Sequence, residues 1–165
     1  PGGGRGGVPL PHLVAGGAAR QDSVWNGVQA TNDGAEIIAI HDGARPCVTE
    51  TIIRDCVAAA RACGAAVAAS AVTDTIKEAN PDGTIARHID RARLRAVQTP
   101  QTFRAEVIRE ALRLVQERGL PLTDDTAACD LIDQAVKLVE STSPNVKATS
   151  PEDIPYLELL LAKKS

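Results

Sequence analysis

Apolar and polar positions come in alternating blocks along this chain, each of the length of one secondary-structure element. Asp22 or Ser23 is placed to cap a short helix running to about Ala30. Glu36-Ile-Ile-Ala-Ile-His41 is a continuous apolar run of strand length, the pattern of a strand covered on both faces. Thr49 then caps a helix with Ile52, Ile53, Cys56, Val57 and Ala60 on one face, stopped by Gly64. Ala65 to Val72 reads as the next buried strand, and strand, helix, strand in that order predicts a parallel pair with a right-handed crossover. Residues 73 to 91 break the rhythm. Two short extended runs flank Asn80-Pro-Asp-Gly83, strong turn chemistry that predicts a two-stranded arm with too few apolar residues for a core of its own. Such an arm is expected to pack on another subunit.

Alternation resumes with a strand over Leu94 to Thr99 and an amphipathic helix over Arg104 to Arg118, ended by Gly119. Thr123 is expected to cap a further helix to about Ala135, with Asp124 and Asp125 favourable in its first turn. Val136 to Glu140 reads as a strand, and Ser150-Pro151 opens the last helix. The expected architecture is a single α/β domain, a doubly wound and mostly parallel sheet with an inserted β-hairpin arm.

Composition sharpens this picture in three places. Aromatic residues are only 2% of the 165 positions (Trp25, Phe103 and Tyr156), so the core has to be built from Ala, Val, Leu and Ile. A net charge of −3 argues against bulk nucleic-acid binding and against a polybasic membrane contact. No apolar run approaches the ~20 residues of a membrane span, and no signal peptide opens the chain, so a soluble cytoplasmic protein is expected. Cys47, Cys56, Cys63 and Cys129 form no CxxC pair and no histidines stand at metal-motif spacing, which predicts reduced, mostly buried thiols. Pro1 to Gly7, PGGGRGG, resembles a phosphate loop only superficially. No strand can precede it and Val8-Pro-Leu-Pro follows, so a surface tail is expected.

Candidate chemistry sits where strands end, the place where doubly wound sheets bind ligands. His41-Asp42-Gly-Ala-Arg45-Pro follows the apolar strand. Asp42 there can hold a divalent cation together with phosphate oxygens, and Arg45 can grip a phosphate; equally, the two can simply pair across a helix-entry loop. Gln98-Thr99-Pro100-Gln101 lies past another strand, with Pro100 forcing Thr99 into extended geometry. Lys147, in the run between the last strand and the last helix, can reach an anion or stay solvated. Arg91 and Arg93 follow the arm, and Asp124 with Asp125 is accounted for by cap and dipole roles.

Together the stretches Gly16-Gly17-Ala-Ala-Arg20-Gln-Asp-Ser23-Val24, His41-Asp42-Gly-Ala-Arg45-Pro46, Val72-Thr-Asp-Thr75-Ile-Lys77, Asp90-Arg91, Gln98-Thr99-Pro100-Gln101, Thr123-Asp124-Asp125 and Asn145-Val-Lys147 resemble the 2-C-methyl-D-erythritol 4-phosphate cytidylyltransferase family, in that family's order. The resemblance implies a Rossmann-like fold and a reaction that joins CTP to methylerythritol phosphate, releasing pyrophosphate, with Mg²⁺, in isoprenoid-precursor synthesis. It implies that Asp42 meets metal and substrate, and that Arg45 and Thr99 line the polyol-phosphate pocket. Arg91 and Lys147 would position the phosphate, and Gly16, Gly17 and Ser23 would touch the nucleotide. The arm resembles the family's dimer-forming hairpin, which would carry Thr75 and Arg91 into the pocket of the other subunit of a homodimer. A cytoplasmic location follows, or a plastid in a photosynthetic eukaryote.

The resemblance also places the start of this chain beyond the family's third strand, without its Gly-rich triphosphate loop. Ribitol 5-phosphate as the alcohol, or a non-catalytic domain that only binds sugar phosphate or dimerises, are the alternative readings.

Overall fold

A computed structural model describes residues 12–163, so the PGGGRGG segment lies outside the described residues. The elements in chain order are α1 (Arg20–Gln29), β1 (Ile37–Ile40), α2 (Glu50–Cys63), β2 (Ala65–Ala71), β3 (Lys77–Ala79), β4 (Ile85–His88), β5 (Arg95–Arg104), α3 (Ala105–Arg118), β6 (Lys137–Glu140) and α4 (Ile154–Ala162). Short 3-10 segments cover Arg91–Arg93, Asp125–Ile132 and Pro151–Asp153. No helix among the described residues is long and apolar enough to cross a membrane.

Local chemistry sets the boundaries. Thr49 Oγ1 accepts from the Ile52 amide at 3.3 Å and starts α2, a cap worth about 1 kcal/mol. Gly64 ends it at φ 96°, where a Cβ would stand 2.4 Å from the Gln134 side chain. The first helix starts two residues before the expected cap. Ala19 is its N-cap, and Asp22 reaches back to accept from the Ala19 amide at 3.0 Å. The expected helix from Thr123 to Ala135 is instead capped by Asp124 and coils as a 3-10 segment. Asp133, at φ 52°, turns the chain left-handed and stops it after Ile132.

Four strands form the main sheet in the order β1-β5-β2-β6. β2 pairs parallel with β6, while β5 is antiparallel to both β1 and β2. Three of the four strands therefore share one direction, and helices cover both faces. The expected direct β1/β2 pair is absent because β5 lies between them. The arm supplies the reason: β2 leaves the sheet at Ala71, the chain turns through the hairpin and returns with Arg95 opposite Ala71. A strand that comes back through a hairpin-type excursion pairs antiparallel with the one it left.

The core is built mostly from Ala, Val, Leu and Ile, as expected, with Phe103 and three cysteines added. Ala65, Ala66, Val67, Ala68 and Ala69 of β2 are buried, with Phe103 as the largest fully buried side chain. One apolar cluster joins Phe103 to Ile108, Leu112 and Val115 of α3, and a second joins Ala68 to Ile52 and Cys56 of α2. The arm, by contrast, pairs only β3 with β4, and every residue of both strands is exposed. Cys47, Cys56 and Cys129 are buried, and Cys63 is exposed.

Candidate active site

The loop after β1 turns tightly, with the Arg45 amide donating to the Asp42 carbonyl at 3.0 Å. That turn brings Asp42 and Arg45 side by side at the rim of the sheet. Thr99 holds it from β5: its Oγ1 accepts from the Asp42 amide at 3.1 Å and lies 2.9 Å from His41 Nδ1. Since the hydroxyl's one proton then goes to Nδ1, the bonds are all satisfied when the ring proton sits on Nε2, 3.0 Å from the Arg45 carbonyl.

The strand expected to end at Thr99 runs on to Arg104, so Gln98 to Gln101 lie within β5 and not past a strand. Val67 pairs with Gln101 and Ala69 with Val97, so Gln98, Thr99 and Pro100 together face the single residue Ala68. Pro100 has no amide to give a ladder and belongs at such a bulge, which bends the strand and re-aims its side chains. The backbone here carries Thr99 toward Asp42.

A third segment closes the group. Asn145 is buried; its Nδ2 donates to the Thr99 carbonyl at 2.7 Å and to Gln98 Oε1 at 3.2 Å. Its own carbonyl accepts from Arg45 Nη1 at 2.7 Å. The Ala148 amide donates to the Ala44 carbonyl at 2.8 Å, tying the two loops together. Lys147, between these ties, places Nζ 3.1 Å from Asp42 Oδ2.

The result is a cleft of about 330 Å³ whose lining includes Arg20, Asp42, Arg45, Thr99, Gln101 and Lys147. Asp42 Oδ2 faces Lys147 at 3.1 Å and Arg45 Nε at 3.4 Å, and Oδ1 faces Arg20 Nε at 3.6 Å. Burial alone would push the Asp42 carboxyl up. The Lys147 hydrogen bond and the charges of Lys147, Arg20 and Arg45 outweigh it and hold the group below its ordinary value. Asp42 is therefore a carboxylate near neutral pH, and the cations around it are of the kind that grips phosphate.

Four of the expected residues, Asp42, Arg45, Thr99 and Lys147, thus meet in one place, drawn from three separate stretches of sequence. The others do not line this cleft. Thr75 is exposed at the base of the arm, and Arg91, also exposed, donates to the Thr73 carbonyl. Gly16 and Gly17 precede α1, and Ser23 Oγ in its first turn accepts from the Gly17 amide at 3.0 Å. A Cβ at Gly17 would fall 2.1 Å from Asp22 Cβ, so this approach requires glycine.

Two further participants escaped the reading of single residues. Arg20, the first residue of α1, makes a fork to Asp125, Nη1 to Oδ1 at 3.0 Å and Nη2 to Oδ2 at 2.8 Å. Asp125 is fully buried, whereas a helix-dipole role predicts an exposed carboxylate. Gln101, also buried, accepts from the Asp125 amide at 2.9 Å and donates to Asp124 Oδ2 at 3.2 Å. The only sequence signal for Arg20 was its place beside the glycines.

Among the described residues no three His, Cys, Asp or Glu side chains gather as a metal cage. Asp42 offers one carboxylate, a donor set that suits a hard divalent cation completed by ligand phosphate oxygens and water.

The family model described as 2-C-methyl-D-erythritol 4-phosphate cytidylyltransferase matches residues 7–163. The chain is 45% identical over 151 residues to the protein of that name from Caldanaerobacter subterraneus subsp. tengcongensis, covering 92% of this chain and 66% of the relative. It is 42% identical over 151 residues to that of Synechococcus elongatus, covering 92% and 65%. The crystal structure of the same-named protein from Thermus thermophilus superposes with a TM-score of 0.83 at 31% identity, over 95% of this chain and 79% of that one. The chain thus spans about two thirds of the length of the curated relatives it matches. On this match and the α/β fold it shares with the solved structure, the chain belongs to the 2-C-methyl-D-erythritol 4-phosphate cytidylyltransferase family.

Proposed function

We propose that this chain serves in a cytidylyltransferase, joining CTP and 2-C-methyl-D-erythritol 4-phosphate to give the CDP-alcohol and pyrophosphate in isoprenoid-precursor synthesis in the cytoplasm. The observation that carries the proposal is the gathering of Arg45 and Lys147 about Asp42, beside the Thr99 hydroxyl, in one cleft.

A phosphate monoester is largely dianionic at neutral pH, its second pKa being about 6, so it attacks the α-phosphorus without a general base. The task left to the protein is alignment and charge neutralisation, because two anions have to meet. Lys147 and Arg45 hold and orient the attacking phosphate, and the Thr99 hydroxyl fixes the loop that carries Asp42. Gly16, Gly17 and Ser23 approach the cytidine or its ribose. Arg91 and Thr75 enter the cleft from the partner subunit of a homodimer formed through the arm, whose wholly exposed strands favour such packing. Arg91 then shares with Lys147 the positioning of the phosphate. Asp42 would hold Mg²⁺, which when bound neutralises charge on the triphosphate.

The test is 31P NMR of the chain with CTP, Mg²⁺ and methylerythritol 4-phosphate, with saturable alcohol-phosphate binding followed in parallel. Alcohol-phosphate binding that Lys147→Ala weakens at least tenfold is expected of this chain, with full pyrophosphate release only when the chain is extended at its N-terminus to carry a Gly-rich triphosphate loop. Product with ribitol 5-phosphate alone would reassign the alcohol. Neither product nor Lys147-dependent binding would end the proposal.

A further inference from the structure

The chemistry proposed for Asp42, Arg45, Thr99 and Lys147 leaves Arg20 and Asp125 without a task, yet Asp125 is the more deeply buried of the two carboxylates that Arg20 faces. Asp125's side chain is 1% exposed, and it receives both Nη atoms of Arg20 at 3.0 and 2.8 Å. Its amide is held by buried Gln101, and Gln101 in turn by Asp124. Capping does not explain this investment of buried groups, because Asp124 does the capping, accepting from the Ala127 amide at 3.0 Å. A guanidinium forked onto a buried carboxylate, on a segment whose backbone Gln101 holds, has little rotamer freedom left.

What that fixed group faces is Asp42. Arg20 Nε stands 3.6 Å from Asp42 Oδ1, too far for a hydrogen bond but a close charge contact. The opposite oxygen, Oδ2, faces Lys147 and Arg45 at 3.1 and 3.4 Å. Asp42 is therefore drawn from two sides. Released from Arg20, it can turn both oxygens onto Arg45 and Lys147, and an incoming phosphate then has to displace a protein carboxylate from both cations. The charge on Arg20 is secure, since the hydrogen bond to Asp125 raises its pKa further.

We propose that Arg20, locked onto Asp125, is a positioning residue that restrains Asp42 by one oxygen and so keeps Arg45 and Lys147 available to a phosphate monoester. This deepens the proposed function and rests on its assignment of the phosphate to Arg45 and Lys147. It makes Asp125 part of the binding site although the ligand never touches it.

Inorganic phosphate, titrated calorimetrically into the full chain, is the probe, with Lys147→Ala locating the site. Arg20→Lys conserves charge but cannot make the fork. Asp125→Asn removes a negative charge, so charge alone predicts tighter phosphate binding, whereas lost positioning predicts weaker binding. Both variants are expected to weaken phosphate at least tenfold. Adding Asp42→Asn to Asp125→Asn is expected to abolish that loss, because no carboxylate is left to close over the cations. Unchanged or tighter binding in Asp125→Asn, or a loss that persists in the double variant, would overturn the proposal, as would wild-type phosphate binding indifferent to Lys147. If Asp125→Asn does not fold by circular dichroism, Arg20→Lys decides alone, unchanged affinity counting against. Loss of the CTP reaction with this phosphate pattern intact would remove the activity and leave the positioning role standing.

Discussion

Asn145→Ala isolates the latch that joins the Lys147 loop to β5. The side chain is 3% exposed and its Nδ2 serves the Thr99 carbonyl at 2.7 Å and Gln98 Oε1 at 3.2 Å. Removing it strands the buried Thr99 carbonyl, at a cost of about 1–3 kcal/mol, while half-buried Gln98 finds water for little. Against this, Asn145 Oδ1 has no partner among the described residues, and deleting it returns about 1 kcal/mol. The net loss expected lies between 0 and about 2 kcal/mol and centres on about 1 kcal/mol, or about 2–4 °C in Tm for a chain of this size. Urea unfolding followed by circular dichroism reads it, with an unchanged slope showing that the unfolded state is not the cause. Thr102→Val is the counterpart, since Thr102 Oγ1 is buried in β5 with no partner among the described residues; there stability is expected to rise by up to about 1 kcal/mol. Asn145→Ala more stable than the parent would refute the latch.

Asp42→Asn is expected to lose stability at neutral pH. Because the folded carboxyl titrates below its ordinary 3.8, the parent's advantage is full above that value and fades as pH falls through the lowered folded value. Parallel unfolding curves from pH 7 to 2 check it, and a gap constant with pH would contradict the ion-pair account. In the full-length enzyme Arg91→Glu is expected to cut turnover by at least tenfold while leaving Tm within about 1 °C, because the Arg91 side chain is exposed and among the described residues hydrogen-bonds only to the Thr73 carbonyl. Unchanged kinetics would take Arg91 out of the site. Among the thiols, burial pushes Cys56 and Cys129 up to about 11 and Cys47 is 1% exposed, so a thiol reagent at pH 8 is expected to modify Cys63 alone in the native protein. Mass spectrometry counts the adducts, and fast labelling of a second cysteine would show the core to be looser than described.

The Asp42, Arg45 and Lys147 positions were legible because each stands in a short polar run directly after an apolar strand or before a capped helix. That placement, not side-chain type, exposed them. β5 was misread because period and composition carry no strand direction: a strand after an arm looks the same whether it resumes or reverses the sheet. Asp125 hid for a related reason. An acid one residue past a cap satisfies the helix-dipole rule on paper, and only packing against Gln101 and Arg20 shows that water never reaches it. The strand holding Thr99 was expected to stop there and instead continues to Arg104, since the Pro100 that marks a bulge reads equally as the end of a strand.

The middle position of β5 also dictates an order of assembly. β1 and β2 share no hydrogen bonds, so each depends on a strand that follows both in the chain, and Ile37 finds its partner only when Arg104 exists. During synthesis the first half of the sheet has no template and stays unzipped until β5 emerges and is threaded between its two neighbours. Closure over such sequence distances is slow. A nascent chain halted just short of residue 95 is thus left with two separate apolar strands, a natural target for chaperones.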